Sequence, residues 1–506
     1  MMIIEVFVTL FLVWFIWYFI TTYIERKKMP PGPFPYPFIG NIPQIFSADR
    51  VTPFSKLADK YGDIFTVTFP NGNAVILNTA SLAREARLAP GRQEVLLGKS
   101  PESFYPFQEI MGHNMAGSDY SLAYLFERKV FVSAMHIFGA GIERASVRAG
   151  RAVDIAIKEI ENKPGRSFLP KNLLESSIVV QLLEWLTSKK IALDDPIVQE
   201  IYEFNAIMTR GALPLTMYQL FPFLRYLPTQ LSREIKRAQQ IRENIFPLEY
   251  RAHRDSYIPG TVRDLTDSFI SAYEKELAKE IEKDIGSKDS GIPGLMVNVV
   301  AVGSETSSTW LTWFFLYNVL YPNVQSKIHE ELDAVVGRDR LPNWKDAENL
   351  PYLQATLCEV ARASGMATLA GTNAIRDTTI AGYHIPKGTF VCLNLPKVHE
   401  DNREWPEPEK FKPERFLDED GKFVGWNKLH GFMPFGIGRR ECPGQTLAKI
   451  MLFSFASILL HRYKIELPEG AEIPTTKVST PQLATKPNDF LVVAEPRELG
   501  LLQDRH

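Results

Sequence analysis

The chain has 506 residues, of which 45% are hydrophobic and 23% charged, with 32 phenylalanines, a composition that excludes a disordered or collagen-like protein and supplies a large core. At about 150 residues per domain, this length allows three domains. The net charge of −2, from 57 Lys and Arg against 59 Asp and Glu, gives no indication of a nucleic-acid partner. The chain has three cysteines, Cys358, Cys392 and Cys442, which are too few for a disulfide framework and are not spaced as a zinc cluster. We therefore expect a reducing compartment.

The N-terminus is predicted to cross a membrane. Ile3 to Tyr23 is almost continuously apolar and has the roughly 20-residue length that a bilayer span requires. Arg26, Lys27 and Lys28 follow the run, and no comparable basic cluster precedes it. The competing interpretation, a cleaved signal peptide, lacks the expected basic start, shorter apolar run and small-residue cleavage site. We therefore predict a transmembrane anchor over residues 1–24, with the body of the protein on the cytoplasmic side.

A proline-rich segment follows the anchor. Pro30 to Pro37 reads PPGPFPYP, and because proline lacks a backbone donor, neither the helix nor a strand ladder can continue through it. We interpret residues 25–40 as a basic and proline-rich hinge, although a polyproline connector without further function would have the same sequence. No 20- to 50-residue repeat divides the remainder, so residues 41–506 are predicted to form the catalytic domain.

The pattern of the body indicates a mainly α fold with a minor β portion. Helical periodicity dominates residues of about 120–365, where prolines are few. A glycine- and serine-rich break at 286–291 precedes Leu295 to Val302, an apolar run expected of a helix that is buried on most sides. The turn signal Asn71-Gly72-Asn73 separates the first two of five predicted strands, which are Ile64 to Phe69, Ala74 to Leu77, Thr378 to Ile380, Tyr383 to Ile385 and Thr389 to Leu393.

The chemistry concentrates around Cys442, in the segment FGIGRRECPG at 435–444. A cysteine flanked by glycines before an apolar helical run can be held rigidly, with backbone N–H groups directed at its sulfur. Taken alone, such a cysteine is more often a buried structural thiol. The segment, however, matches the FxxGxRxCxG haem-binding loop and closely resembles the cytochrome P-450 superfamily at Phe435, Gly438, Arg440, Cys442 and Gly444.

This resemblance implies the cytochrome P-450 fold with an N-terminal transmembrane helix, haem b as the cofactor and the Cys442 thiolate as the iron ligand. Two further motifs recur in order. Glu359 and Arg362 form an ExxR pair on one helix face, and Arg415 lies in a PERF segment. An ExxR pair alone is an ordinary solvated pair in most sequences. Together with Cys442, the resemblance implies that the glutamate and the two arginines form a structural lock behind the cysteine loop.

A third motif, Gly303 to Ser307, resembles the oxygen-activation segment AGx(D/E)T(T/S) of the family. Glycine and a carboxylate in a buried helix cost stability, which favours a functional explanation. The resemblance implies that Thr306 helps to hold iron-bound oxygen and its protons and that Glu305 connects them to solvent. A serine- and threonine-rich turn with hydroxyls bonded back to the helix is the simpler alternative. Val302 replaces the usual alanine, which narrows the distal pocket if its side chain faces the haem.

Two departures concern the haem propionates. Where the family commonly has WxxxR, this chain has Tyr124 and Arg128, so the arginine is kept and the indole is replaced by a phenol that can still donate. The segment 363–372 lacks the usual prolines, is one residue short and has Thr372 where a basic propionate partner normally stands. We therefore expect weaker haem retention, with Arg440 and Arg128 carrying most of the propionate recognition and Tyr124 helping.

The resemblance extends from Pro30 to about Pro496 and is greatest to the microsomal animal group, which includes steroid and xenobiotic hydroxylases. It implies a monooxygenase of the endoplasmic reticulum membrane that inserts one atom of O2 into a hydrophobic small molecule of steroid, fatty acid or xenobiotic type. Electrons would come from NADPH through a cytochrome reductase, with a cytochrome b-type protein as a second donor. Regions of about 100–120 and 200–250 would select the substrate. Apolar residues in the second region could belong to the pocket, to a membrane-dipping surface or to the core: Phe221, Phe223, Leu227 and Pro228.

Several alternatives remain open. A basic docking patch for the reductase is predicted, but the same cations could form an ordinary solvated face: Arg128, Lys129, Arg439 and Lys449. The same fold can also catalyse isomerase or dehydratase reactions without external electrons, against which the Glu305–Thr306 pair argues. A non-catalytic haem- or lipid-binding membrane protein is the third possibility, favoured by the altered propionate segment.

Overall fold

The computed structural model describes residues 2–46, 54–99, 105–139, 142–162, 164–209, 217–218, 221–279, 291–367, 369–478 and 485–497. Helices predominate in these ranges and strands are few, so the predicted class, mainly α with a minor β portion, is confirmed. The described ranges omit residues 286–290 of the predicted break and parts of the two regions expected to select the substrate, at 100–104, 210–216 and 219–220.

The helices follow one another in this order: α1 Met2–Arg26, α2 Ile42–Phe46, α3 Ser55–Tyr61, α4 Ala80–Leu88, α5 Tyr105–Met111, α6 Leu122–Gly139, α7 Ile142–Glu161, α8 Pro170–Thr187, α9 Pro196–Thr209, α10 Gln230–Ser256, α11 Leu265–Leu277, α12 Ile292–Val297, α13 Gly303–Leu320, α14 Pro322–Val335, α15 Pro351–Ser364, α16 Leu395–His399 and α17 Gln445–Arg462. A π-helical turn, Asn298–Val302, joins α12 to α13. Such turns are frequent at functional sites, because the extra residue redirects the side chains that follow.

The strands are β1 Ile64–Phe69, β2 Gly72–Leu77, β3 Leu96–Gly98, β4 Leu369–Ala374, β5 Thr378–Ile380, β6 Tyr383–Ile385, β7 Phe390–Asn394, β8 Tyr463–Glu466 and β9 Val493–Pro496. They form a five-stranded sheet in the order β1-β2-β7-β4-β3 and two pairs, β5-β6 and β8-β9. In the larger sheet β2 and β7 are parallel, and the other neighbours are antiparallel. The predicted turn at 71–73 is misplaced, because β2 begins at Gly72, which pairs with Phe69 across a two-residue loop.

Four strands were not expected: β3, β4, β8 and β9. The segment around Thr372 carried no strand prediction, but β4 pairs with β7 along one edge and with β3 along the other. Gly371 fits this position because a Cβ there would lie 2.0 Å from Cζ of the Phe390 ring. The local sequence LAGTNA has little β-propensity. The strand therefore forms because β4 pairs with a neighbouring strand on each side.

The core lies between the long helices. α6 packs on α11, α7 on α17 and α8 on α13. α17 is buried from Ile450 to His461 on all its faces, and α13 is buried almost throughout from Ser304 to Val319. Helices that are buried on all sides lie at the centre of large domains.

The N-terminal helix is long and apolar enough to cross a membrane: Ile4–Arg26 has a mean hydropathy of 2.0 and none of its apolar window is buried. Its last residue contacts the body, since Arg26 donates to Pro33 O and, at 2.9 Å, to Thr66 O in β1. Gly32 is required beside this contact, because a Cβ would lie 1.9 Å from the same Thr66 oxygen. The end of the helix is therefore bonded directly to the first strand.

Aromatic rings join the anchor helix to the hinge. Trp14 stacks on Phe38 with ring centroids 5.0 Å apart, and Phe19 stacks on Phe34 at 4.8 Å. Tyr18 donates from its hydroxyl to Pro35 O at 3.2 Å. The hinge thus folds back along the helix instead of extending freely from it.

Candidate active site

Cys442 lies in a tight loop immediately before α17. The Cys442 N–H donates to Phe435 O at 2.9 Å, which closes the loop on itself. Gly436 and Gly438 have φ values of +72° and +81°, which L side chains rarely adopt, so these two glycines permit the turn. The Gly444 N–H bonds to the Cys442 sulfur. The sequence therefore folds the segment into a cradle that fixes one sulfur atom.

The Cys442 thiol is distinct from the other two. Cys358 and Cys392 are buried at 0% and 1% exposure, whereas Cys442 is partly accessible. Burial raises the pKa of Cys442, and the Gly444 N–H and the charge of Arg128 oppose that rise. A thiolate at this position needs a positive charge in contact with it, and a metal ion supplies one. The loop thus has the donor and the access that an iron ligand requires.

Aromatic packing joins the cysteine loop to α13. The ring of Phe435 lies 5.5 Å from that of Trp310 in α13 and 6.4 Å from that of Trp426. Trp310 donates from its indole N–H to Leu357 O in α15 at 2.9 Å. Since Trp310 follows Thr306 by four residues, both lie on one helix face, and that face is directed toward the cysteine loop.

Thr306, in the first turn of α13, is exposed, whereas the other residues from Ser304 to Val319 are buried. Its side chain is therefore accessible to a ligand that binds beside this part of α13. The Thr306 hydroxyl donates to Val302 O at 2.9 Å, in the π turn. Val302 itself is half-buried and lies four residues before Thr306, on the same side of the helix.

Glu305, adjacent to Thr306, is buried at 2% exposure. Lys486 Nζ lies 2.6 Å from Glu305 Oε1, and neither carboxylate oxygen has a hydrogen bond of good geometry. Burial raises the pKa of Glu305 to about 7, an effect that Lys486 opposes and Glu175 reinforces. Asn205 extends the polar cluster, donating to Ser304 Oγ at 2.9 Å and to Glu175 at 3.3 Å. The carboxyl of Glu305 can therefore exchange a proton near neutral pH.

The predicted propionate residues occupy one side of the cysteine loop. The guanidinium carbon of Arg440 lies 3.8 Å from the centre of the Tyr124 ring, and its nitrogens donate to Leu97 O at 2.8 and 3.0 Å and to Ser118 O. Arg128 donates to Glu441 O at 3.1 Å and so supports the loop itself. Tyr124 is buried under Arg440, which places it as a support for that cation.

Two cations in the same region, the buried Arg87 and the half-buried Lys99, were missed by sequence reasoning. Arg87, in α4, donates to Leu96 O at 2.7 Å and to the hydroxyl of Thr372. Lys99 donates to Gly371 O at 2.6 Å. Burial, together with the neighbouring charge of Arg440, lowers the pKa of Arg87 to about 10 and that of Lys99 to about 7. The available signal was an arginine on the alanine-lined, buried side of a short helix.

The proposed lock residues lie together behind the loop. Arg362 is paired with Glu359 through two contacts of 2.7 Å, and both side chains are almost completely buried. Arg415 Nε lies 3.4 Å from Glu359 Oε1, and its other nitrogens donate to Pro406 O and Glu407 O. Arg362 also donates to the His399 and Pro408 carbonyls. The cluster thus ties α15 to the chain segment that leads to the cysteine loop.

The four predicted docking cations are not equivalent. Arg439 is exposed and lies 3.0 Å from Glu94, and Lys129 is exposed. Lys449 is half-buried, with its ammonium 5.3 Å from the centre of the Phe435 ring. Arg128 contacts the loop backbone. Only part of this group therefore presents a surface to a partner.

The apolar residues after α9 are more exposed than a core would be. Phe223 is 61% exposed and Leu227 is 47% exposed, and Pro228 is also exposed. Phe221 is half-buried, with its ring 6.2 Å from that of Phe223. The interpretation of Phe223 and Leu227 as ordinary core is therefore wrong.

The residues present fit a haem. A cradled thiol, an exposed hydroxyl on a buried helix beside the cysteine loop, and the buried Arg87, whose acceptors among the described residues are neutral, together match an iron porphyrin that carries carboxylates. The fold and this site define a haem-thiolate oxidoreductase.

Comparison with known proteins agrees with this class. The family model "Cytochrome P450" matches residues 30–494, and the chain belongs to that family, whose members are haem b monooxygenases. The steroid 17-alpha-hydroxylase/17,20 lyase of Ictalurus punctatus is 30% identical over 94% of this chain and 92% of its own length. Cytochrome P450 1B1 of Mus musculus is 30% identical over 95% and 90%, and cytochrome P450 2C44 of Mus musculus is 31% identical over 90% of each chain.

Proposed function

We propose that the protein is a monooxygenase of the endoplasmic reticulum membrane that hydroxylates a hydrophobic small molecule with electrons from NADPH. A membrane-bound cytochrome reductase would deliver these electrons, with a cytochrome b-type protein as a second donor. The observation that carries the proposal is the arrangement of the acid and alcohol on α13: Thr306 is exposed on the helix face that carries Trp310, where we propose the substrate cavity, and Glu305 is buried in a polar cluster.

Cys442 is proposed to bind the iron. Haem supplies the activation of dioxygen, and a thiolate ligand favours cleavage of the O–O bond. The Gly444 N–H stabilises the negative charge on the sulfur, and the closed loop from Phe435 to Cys442 keeps the sulfur in place. Gly438 permits the turn that carries Arg440, which would bind a propionate.

Thr306 and Glu305 are proposed to manage protons. The Thr306 hydroxyl donates to Val302 O and can turn to donate into the cavity instead. Glu305, whose pKa burial raises to about 7, can hold or release a proton at neutral pH, which is the property of an effective general acid or base. Lys486 and the cluster around Asn205 would link this carboxyl to the surface.

The substrate class is proposed as steroid, fatty acid or xenobiotic. One of the similar proteins is a steroid hydroxylase and lyase, by its name. Such molecules partition into membranes, and an N-terminal helix that is long and apolar enough to cross one supports this substrate class. Because the proposed substrates are hydrophobic, the proposal requires no acidic or basic side chain to recognise a charged substrate.

The decisive experiment is reconstitution of the full chain with NADPH, a cytochrome reductase and lipid, followed by an unbiased metabolite screen under ¹⁸O2. One labelled oxygen atom in a product that depends on NADPH supports the proposal. A product formed without NADPH or O2 would instead identify an isomerase or dehydratase. Cys442→Ser serves as the matched control, since it should form no product in the monooxygenase assay.

The location and the docking surface are also proposals. Lys27 and Lys28 follow the anchor and favour the cytoplasmic side for the body. Lys129 and Arg439 are the exposed cations of the predicted patch. Their replacement by glutamine should raise the concentration of reductase needed for half-maximal turnover, most at low salt, because exposed charges mainly steer encounter.

A further inference from the structure

Arg87 is a fully buried arginine beside the cysteine loop. It lies in the last turn of α4, on the side lined by Ala80 and Ala83. A Cβ at Gly438 would lie 3.0 Å from Arg87 O and 3.5 Å from Arg87 Cβ, so the helix touches the turn that carries Arg440. An arginine is an expensive choice on a buried helix face, where alanine and leucine are usual.

The guanidinium of Arg87 has only neutral hydrogen-bond acceptors. Its contacts are Leu96 O, the Thr372 hydroxyl and Val391 O, the last at 3.4 Å. Among the residues that the structure describes, no carboxylate forms an ion pair with it. A buried charge is costly unless an opposite charge compensates it. The protein part of the site therefore leaves the positive charge of Arg87 uncompensated.

Two more cations surround the same point. Lys99 reaches the backbone of β4 at Gly371, next to Thr372, and Arg440 lies on the adjacent turn. The three charges interact, since the pKa of Lys99 is lowered by burial and by the charges of both Arg440 and Arg87. Groups that repel one another remain together in a folded protein when a ligand of opposite charge holds them.

We propose that Arg87 is an anchoring residue for the haem: its charge, with those of Lys99 and Arg440, balances the haem carboxylates, and Thr372 positions the guanidinium. The proposal rests on haem binding by the Cys442 site. It reverses the expectation that haem is held weakly because Thr372 is not basic. The positive charge comes from α4 instead of β4, and a base introduced at position 372 would face Arg87.

Two substitutions separate charge from packing. Arg87→Lys keeps the charge, whereas Arg87→Gln keeps a donor for the Leu96 carbonyl or the Thr372 hydroxyl but is neutral. Haem transfer from the full-length holoprotein to an apo-globin acceptor should be about tenfold faster for Arg87→Gln, roughly the effect of one lost charge-assisted contact, and close to the wild-type rate for Arg87→Lys. Equal rates for the two variants would overturn the proposal.

A second pair of variants leaves Arg87 in place, in case Arg87→Gln does not fold. Thr372→Asp puts a carboxylate against the guanidinium and neutralises it, and Thr372→Asn is the uncharged control of the same size. If the charge of Arg87 serves the haem, haem transfer is several-fold faster for Thr372→Asp than for Thr372→Asn, which keeps an oxygen acceptor for the guanidinium. If Arg87 only braces the backbone, Asp strengthens that brace and haem transfer is no faster for Thr372→Asp than for Thr372→Asn.

Failure of this proposal is distinguishable from failure of haem binding. The ferrous CO spectrum of the wild-type protein reports whether Cys442 ligates haem at all. A normal thiolate spectrum, together with haem-transfer rates that do not depend on the charge at position 87, would exclude Arg87 as an anchoring residue. Ligation of the haem by Cys442 would still be supported.

Discussion

Lys486 Nζ lies 2.6 Å from Glu305 Oε1, in a part of the protein where the carboxyl is buried and the next residue, Thr306, is exposed. Lys486 comes from the last part of the chain and is itself 12% exposed. The pair connects the first turn of α13 to a C-terminal segment that is exposed at Asn488 and Asp489. Its strength therefore controls how readily the Glu305 carboxyl takes up a proton.

The first prediction concerns pH and stability. Folding raises the pKa of Glu305 from 4.5 to about 7, so the folded state binds more protons than the unfolded state between these values. The contribution of Glu305 to stability is therefore greatest below pH 4.5 and declines as pH rises to 7. Glu305→Gln removes this decline. The melting temperature of the variant, relative to that of the wild type, should therefore rise as the pH increases from 4.5 to 7. Glu348→Gln, at an exposed site, should follow the wild type at every pH.

Lys486→Met is predicted to impair proton delivery without affecting substrate binding. Without the ammonium, the Glu305 carboxylate loses the charge that stabilises it, so its pKa rises and it stays protonated to a higher pH. The pH at which product formed per NADPH is half-maximal should shift upward. Lys486→Arg should restore the wild-type profile. An unshifted profile for Lys486→Met would exclude the pair from the proton route.

Thr306→Ala is predicted to uncouple turnover. The hydroxyl that faces the cavity is lost, while the rest of the buried helix keeps its packing, so substrate should bind with little change. Peroxide released per NADPH should rise several-fold and product should fall. Thr306→Ser should retain most of the coupling, and Thr312→Ala, whose hydroxyl bonds back to Ser308 O at 2.6 Å, should retain all of it.

Cys442→Ser is predicted to abolish thiolate ligation, since a neutral hydroxyl is a poor ligand for iron. The red-shifted Soret band of the reduced CO complex should disappear. Cys358→Ala is the matched control, because this thiol is completely buried in α15, and its band should be unchanged. Persistence of the band in Cys442→Ser would remove Cys442 from the mechanism.

The lock should behave as a buried ion pair. Arg362→Met leaves the Glu359 carboxylate buried without its main partner and should lower the free energy of unfolding by about 3–5 kcal/mol. The double variant Glu359→Gln, Arg362→Met removes both charges and should be less destabilised than Arg362→Met alone. Urea unfolding of the holoprotein measures both values. A double variant as unstable as the sum of the single ones would argue against direct coupling.

The sequence predicted the parts of the site that consist of short patterns. The glycines around Cys442, the ExxR spacing and the acid-alcohol pair are local, and each specifies its own geometry. Arg87 could not be found in this way, because its role depends on α4 meeting β4 nearly three hundred positions later, a contact that no local pattern encodes. β4 was missed for the same reason, since its strand geometry comes from its two neighbours.

The surroundings of Thr372 support a different expectation from the one drawn from the sequence. The prediction of weaker haem binding from a missing base at one position assumes that each function stays at its own place in the chain. Buried charge is instead shared by all the elements that surround a cavity, and the structure places a guanidinium against the threonine hydroxyl.

The joint between the anchor and the body allows a truncation test. Removal of residues 1–25 keeps Arg26 and its bonds to Pro33 O and Thr66 O, whereas removal of residues 1–28 deletes them. Both truncations should move the protein from the carbonate-resistant to the salt-extractable fraction, incompletely if Phe223 and Leu227 also enter lipid. The shorter deletion should melt at the higher temperature. Carbonate-resistant association of both would contradict a single N-terminal span.

The stacked rings of Trp14 with Phe38 and Phe19 with Phe34 give the joint a mechanical property. A domain linked to a membrane helix through a flexible tether can rotate independently of that helix. Here the aromatic rings of α1 stack on rings of the hinge, so a rotation of α1 would be transmitted to the hinge. If α1 crosses a bilayer as predicted, its tilt would therefore set which side of the body faces the membrane. A bilayer of different thickness, by changing that tilt, would turn the whole body and alter which surface meets the lipid headgroups.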